Sequence, residues 1–285
     1  MIFVSSFLFF AKACKEESGM KIATYNIWNH NIEKREAQLI DILNKIDADI
    51  VGLQEVPSEF YGKLVAGTNY KYHAYAASDK YKGAGDFVAV LSKHPLLEHF
   101  TFVDQGNHDG INAHNVIFEV EGMRFSFTNV HLPWDSVLAK ERQIVAIQDF
   151  ICSQEDKADF FILAGDFNCG VNSSVHRFLL GDSSLFGSEA NPYWNDLSGV
   201  HAALNGYKLA PTLDFSTNPR WKGENTTHEP AAVDRIYVME CMRGKAWDYD
   251  WSLGNVTVFG RDISPKTGLA PSDHYGVMAE VEFSV

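Results

Sequence analysis

Apolar and polar positions along this chain fall into two rhythms, and the switches between them predict most of its elements. Lys21 to Ile27 alternates with a period of two, as a strand does, and delivers Asn26 at its end. Leu39, Ile40, Leu43 and Ile46 then recur at helical spacing, with Glu33, Lys34 and Asp41 left for solvent. Asp49 to Gln54 is a short apolar strand that carries Glu55 out of its sheet. Tyr70 to Ala76 and Asp86 to Leu91 read as two more strands joined by a Gly83-Ala84-Gly85 turn, and Asn115 to Val120 with Arg124 to Val130 as a hairpin around Glu121-Gly122. A second helix covers Leu138 to Cys152, with Ile144, Ile147 and Ile151 along one face. Phe160 to Ala164 is a buried strand, and the pattern then loosens between Gly170 and Thr227 into a helix near Val175 to Leu180 followed by long loops. Val233 to Met239, Asn255 to Phe259 and Tyr275 to Phe283 complete the strands.

Mixed helices and many short strands support an α+β or α/β fold, and no further class follows from periodicity alone. The chain has 285 residues, and no stretch reads as a linker or an internal repeat. Residues 20–285 are therefore expected to form one domain acting as a monomer. The formal charge of −13 argues against a surface that holds nucleic acid by neutralising its phosphates nonspecifically, but it says little about a single cleft. Cys14, Cys152, Cys169 and Cys241 are widely spaced, which indicates neither a disulfide framework nor a zinc cluster.

Residues 1–19 form a separate unit. Ile2 to Ala11 is almost wholly apolar, too short to span a bilayer but the right length for the core of a signal peptide. The run ends abruptly at Lys12-Ala13-Cys14-Lys15-Glu16-Glu17, which looks like a lipoprotein cleavage site with an acidic tag for surface export. The expectation is an envelope lipoprotein anchored through Cys14, which would be its one membrane contact. The competing reading is a start at Met20 and a cytoplasmic enzyme.

Six segments each end an apolar run in a polar residue able to hold a metal or a phosphate. They are Thr24-Tyr25-Asn26-Ile27, Leu53-Gln54-Glu55-Val56, Asn129-Val130-His131-Leu132, Gly165-Asp166-Phe167-Asn168, Val233-Asp234-Arg235-Ile236 and Ser272-Asp273-His274. Any one of them is what an ordinary strand-to-loop boundary looks like. In this order, from about Lys21 to the C-terminus, they resemble the endonuclease/exonuclease/phosphatase superfamily. The resemblance implies a four-layer α/β sandwich of α+β class, two mixed β-sheets packed face to face with helices outside. It also implies a metal-dependent phosphoester hydrolase, most simply a phosphodiesterase driving in-line attack by water.

Such a reaction needs charge neutralised on the non-bridging oxygens, an activated water, and relief of charge on the leaving oxygen. Glu55 is the natural metal anchor, with Asn26 beside it as a neutral oxygen ligand or an orienter, and hard oxygen donors point to Mg²⁺, with Mn²⁺ as a substitute. The resemblance places Asp273 at the same metal. It makes Asp166 the group that orients or deprotonates water, Asn168 a donor to phosphate or nucleophile, and His131 a stabiliser of the phosphate or a proton donor to the leaving group. Asp234 and His274 match a coupled pair in which the carboxylate fixes the imidazole. His274 is the alternative base.

The motifs specify a phosphoester and a metal, not the group on the far side. Nucleic acid, phospholipid head groups and small phosphodiesters remain as substrates. The loops at Trp134-Asp135, Asn191-Pro192-Tyr193-Trp194 and Asn218-Pro219-Arg220-Trp221-Lys222 are aromatic with little positive charge, suited to stacking, to lipid, or to capping the core. A binding module that keeps the fold without the chemistry is the alternative from another class, and the presence of Glu55, Asp166, Asn168, Asp234 and His274 weighs against it.

Overall fold

Strand β1 (Glu17–Asn26) lies at the middle of a six-stranded sheet, with β12 (Gly276–Ser284) antiparallel on one side and β2 (Ile50–Gln54) parallel on the other. The computed structural model describes residues 17–76, 87–103, 111–223, 229–240 and 249–285. The sheet is completed by β3 (Tyr72–Ala76), β4 (Val88–Ser92) and β11 (Asp250–Phe259), in the order β11-β12-β1-β2-β4-β3. A second six-stranded sheet runs β5-β6-β7-β8-β10-β9, built from Leu96–Val103, Ile111–Val120, Met123–His131, Phe160–Asp166, Asp234–Met239 and Trp194–Asp196 for β5, β6, β7, β8, β10 and β9 respectively. Each sheet has one parallel pair, β1 with β2 and β7 with β8, among antiparallel ones, so both are mixed.

Alternation along the strands builds the layers. Ile22, Ile50 and Val90 from one sheet meet Phe125, Phe127, Ile162 and Ile236 from the other in the central core. The opposite faces, carrying Ala23, Tyr25, Val51 and Leu53, are covered by Leu39, Ile42 and Leu43 of α1 (Glu36–Ile46) and by Phe60 and Leu64 of α2 (Ser58–Gly67). On the far side Val130, Phe161, Leu163 and Tyr237 pack under α3 (Val137–Cys152) and α4 (Ser174–Leu179). Helix, sheet, sheet, helix is the four-layer sandwich expected from the sequence. Among the described residues no helix is long and apolar enough to cross a membrane.

Four elements were not legible in the pattern: α2, α5 (Leu197–Asn205), β5 and β9. Gly62 and Gly67 weaken the helical signal of α2, and Gly199 that of α5, because glycine in a helix costs about 1 kcal/mol against alanine. Tertiary packing of Phe60, Leu64 and Leu197, all fully buried, supplies what propensity lacks. The Gly83-Ala84-Gly85 turn, the N-terminal segment through Lys15-Glu16, and Cys241 lie outside the described residues.

The two sheets are joined by a polar bridge close to the strand ends. Asn129 of β7 reaches across to donate to Leu53 O at 2.9 Å and Ala89 O at 3.0 Å, and accepts from Gln54 Nε2 at 2.6 Å. Gly52 makes room for it: a Cβ there would sit 2.8 Å from Asn129 Oδ1.

Candidate active site

All eight residues predicted for the site gather at one end of the sandwich. Sheet register does much of this. In the second sheet His131 stands opposite Asp166 across the parallel β7-β8 pair, and Asp166 stands opposite Asp234 across the antiparallel β8-β10 pair. Three of the predicted site residues thus line up on adjacent strands. In the first sheet Asn26 ends β1 opposite Gln54, and Glu55 is the next residue. Asp273 and His274 immediately precede β12, which is β1's other neighbour.

The backbone turns sharply as it leaves these strands. Glu55 has φ 56° and Asn168 φ 49°, the left-handed region that asparagine enters readily and glutamate does not. Such conformations persist where surrounding contacts over-determine them, and they concentrate at functional sites. Gly165, with φ 148°, precedes Asp166; a Cβ there would lie 2.0 Å from Val130 O, so only glycine allows β7 and β8 to approach this closely.

Asp166 is the hub. It is fully buried, and its Oδ1 accepts the backbone N–H of Asn168 at 2.8 Å. Its Oδ2 accepts from Asn26 Nδ2 at 3.0 Å and from Asn168 Nδ2 at 3.4 Å, with His131 Nε2 at 3.7 Å and His274 Nδ1 at 3.9 Å. Asn26 also donates to Glu55 Oε1 at 3.0 Å, while its own oxygen accepts the N–H of Trp28 at 3.0 Å. The amide therefore stands as an orienter between two carboxylates. Glu55 Oε2 takes the N–H of Asn29 at 3.1 Å, and His131 Nε2 lies 4.0 Å from Glu55 Oε1.

Asp234 and His274 form the coupled pair, with Nδ1 3.0 Å from Oδ2 and both side chains buried. Burial opposes charge on His274, but Asp234 and Asp166 outweigh it and hold the imidazole pKa well above its ordinary value. Burial raises Asp273 to about 6, opposed by His274 and reinforced by Glu55. Asp166, Asp234 and His274 offer ligand atoms within 4.8 Å of one another.

Several residues that complete the site were not assigned to it from the sequence. Arg35, buried at the start of α1, donates to Ile27 O at 2.5 Å, Pro271 O at 2.6 Å, His30 O at 2.8 Å and Trp28 O. It ties the loop after Asn26 to the segment leading into Asp273. Asn218 Nδ2 donates to Ser272 O and Asp273 O, both at 3.0 Å, and Trp221 Nε1 to Asp273 O at 3.2 Å. Part of the aromatic loop at 218–222 is thus a brace for the segment that carries Asp273. Lys140 Nζ holds Asn168 O at 2.7 Å. These side chains act on backbone carbonyls, which leave no residue-type signature in a sequence.

The Endonuclease/Exonuclease/phosphatase family profile matches residues 23–274, nearly the whole described chain. The chain belongs to the endonuclease/exonuclease/phosphatase family. The fold agrees. A TDP2 structure from D. rerio, complexed with single strand DNA product, superposes with a TM-score of 0.71 at 17% identity, covering 93% of this chain and 99% of that one. Truncated Caenorhabditis elegans TDP2 gives 0.70 at 16% identity, covering 94% and 98%. An endonuclease/exonuclease/phosphatase family protein from Bacteroides thetaiotaomicron gives 0.69 at 16% identity, covering 94% and 96%. No curated protein matches the sequence. Membership of the endonuclease/exonuclease/phosphatase family makes this a metal-dependent phosphoester hydrolase in general terms.

The donor set fits a hard divalent cation. Glu55, Asp166, Asp234 and Asp273 bring four carboxylates into one largely buried site, and the imidazolium of His274 offsets only one of them. A surplus of carboxylate oxygen, with the one nearby imidazolium unable to act as a ligand, suits a hard divalent cation better than a softer metal.

Proposed function

We propose that the protein is an Mg²⁺-dependent phosphodiesterase in which water attacks the phosphorus in line. The observation that carries this reading is the convergence on Asp166 Oδ2 of Asn26 and His274 from the first sheet's strand ends and of His131 and Asn168 from the second's. The metal, held by Glu55 and Asp273 with Asn26 beside them, would withdraw charge from the phosphate oxygens when bound.

Asp166 accepts the proton of the attacking water. The N–H of Asn168 holds Oδ1 in place, which fixes the direction in which Oδ2 faces. His274 commits Nδ1 to Asp234 and so presents Nε2 to the phosphate as a charged donor. Asn168 is braced through its own amide, whose Nδ2 donates to Leu132 O at 2.9 Å, and through Lys140 on its carbonyl. Its side chain therefore positions Asp166 before it touches substrate. His131 protonates the leaving oxygen, a role its partial exposure and its distance of no more than 4.0 Å from both Glu55 and Asp166 support.

The test compares bis-p-nitrophenyl phosphate with p-nitrophenyl phosphate in Mg²⁺. Preferential release from the diester supports the reading. Hydrolysis of the monoester alone would make the protein a phosphatase instead.

A further inference from the structure

Arg220 is the one half-buried arginine of the described residues whose terminal nitrogens have no bond to satisfy them. Arg235 pairs with Asp196, Arg124 with Glu119 at 3.5 Å, and Arg261 with Asp214 at 3.6 Å, while Arg35 spends its nitrogens on carbonyls. Arg220 donates through Nε to Ala270 O at 2.7 Å and stacks its guanidinium 5.1 Å from the ring centre of Trp28. No carboxylate among the described residues lies within ion-pairing distance of it. In a chain of net charge −13 this is a conspicuous gap, because partly buried charges are normally paired.

Its position gives the gap a meaning. Ala270, which takes Nε, is three residues before Asp273. Trp28, which carries the guanidinium, gives its backbone N–H to Asn26. Arg220 is therefore held between the two segments that bring Asn26 and Asp273 to the site, with a planar fork of donors left over. Such a fork matches the oxygens of a phosphate in bidentate fashion.

We propose that Arg220, oriented by Trp28, binds a second phosphate of the substrate, outside the ester that is cleaved. This rests on the phosphodiesterase reading and narrows it to substrates that carry a further phosphate beside the scissile one. Trp28 serves as the plate that fixes the guanidinium. Arg35 lies 5.0 Å from the same ring centre, so the indole is already engaged by two cations.

The experiment is calorimetric titration, in Mg²⁺, of the wild type and Arg220→Gln with thymidine 5′-phosphate and thymidine 3′,5′-bisphosphate. The wild type is expected to bind the bisphosphate at least about tenfold more tightly, the scale of one charge-assisted contact. Arg220→Gln should lose that advantage, and Arg220→Lys should keep part of it. Equal affinity of the wild type for both ligands would overturn the proposal, even if the glutamine variant fails to fold. So would an equal loss for both ligands in Arg220→Gln, which would place Arg220 on the scissile phosphate or make it only a brace for Ala270. The same comparison with propane-1,3-diol phosphate and bisphosphate separates a nucleotide source from any other. Hydrolysis of bis-p-nitrophenyl phosphate by the same preparation tests the underlying phosphodiesterase reading independently.

Discussion

Asn26 and Asp166 belong to different sheets, yet Asn26 Nδ2 donates to Asp166 Oδ2 at 3.0 Å. The same amide holds Glu55, so one neutral side chain keeps a buried and a partly buried carboxylate in register across the sandwich. Asn26→Ala should lower turnover by about two orders of magnitude, the usual cost of losing one oriented donor at a reacting centre. The fold should survive with a loss of roughly 1–3 kcal/mol, since the carboxylates lose a buried partner. Steady-state kinetics with urea unfolding checks both; a variant with near-normal turnover would mean the amide is structural only.

Asp234→Asn should leave the fold intact and lower turnover by roughly two or more orders of magnitude, by analogy with the loss of an orienting carboxylate in other triads. The physical reason is the 3.0 Å contact with His274 Nδ1, which sets both the ring orientation and its charge. Circular dichroism and kcat measured together make the check. Near-normal kcat would show that the pair does not take part in the reaction.

Arg35 joins Ile27, Trp28 and His30 to Pro271 through one guanidinium. Burial, with Arg220 adding to it, lowers its pKa to about 10, so it remains charged at neutral pH. Arg35→Lys keeps the charge but places all donors on one atom, which cannot reach carbonyls on both segments. The expected cost is about 3 kcal/mol in urea unfolding, with a fall in kcat because Asn26 and Asp273 lose their common anchor. Unchanged stability would contradict the clamp.

His114, fully buried on β6 and stacked on His99 with ring centres 5.5 Å apart, offers a pH prediction away from the site. Burial, reinforced by His99, lowers its pKa to about 4. As pH falls below about 6.5 the unfolded chain takes up a proton that the folded state refuses, so stability drops until about pH 4. At pH 5 this amounts to roughly 2 kcal/mol. The stability of His114→Gln should fall less between pH 7.5 and pH 5 than that of the wild type, by about that amount. Parallel pH profiles would remove His114 as the cause.

Much of this site was readable in the sequence because its chemistry sits at strand ends. A period-two apolar run followed by Asn, Glu, His or Asp places the side chain at one end of a sheet, and six such runs in family order place them together. The register that aligns His131, Asp166 and Asp234 is not in the pattern of any one strand; it arises from which strands pair. Gln54 and Asn129 lay inside the motifs, yet their task, bridging the sheets through Leu53 O and Ala89 O, needed the structure. Arg35 and Lys140 were invisible, and the loop holding Asn218 and Trp221 was seen without its task, for a further reason: each of these side chains bonds a carbonyl, and carbonyls are the same in every residue. The loose pattern between Gly170 and Thr227 hid α5 and the 3-10 turn at Pro219–Trp221 because glycine and short length weaken periodicity there.

Dependence on a bound divalent metal underlies every proposed step, and chelation tests it. Release of p-nitrophenol from bis-p-nitrophenyl phosphate is followed in the untreated protein, after chelation, and after Mg²⁺ is restored, in the wild type and in Glu55→Gln. Chelation is expected to abolish turnover and Mg²⁺ to restore it in the wild type. Glu55→Gln, a neutral isostere of a carboxylate ligand, should need a much higher Mg²⁺ concentration for half-maximal rate while unfolding at nearly the wild-type urea concentration. Turnover that persists in excess chelator, or a variant with the wild-type Mg²⁺ requirement, would contradict that dependence.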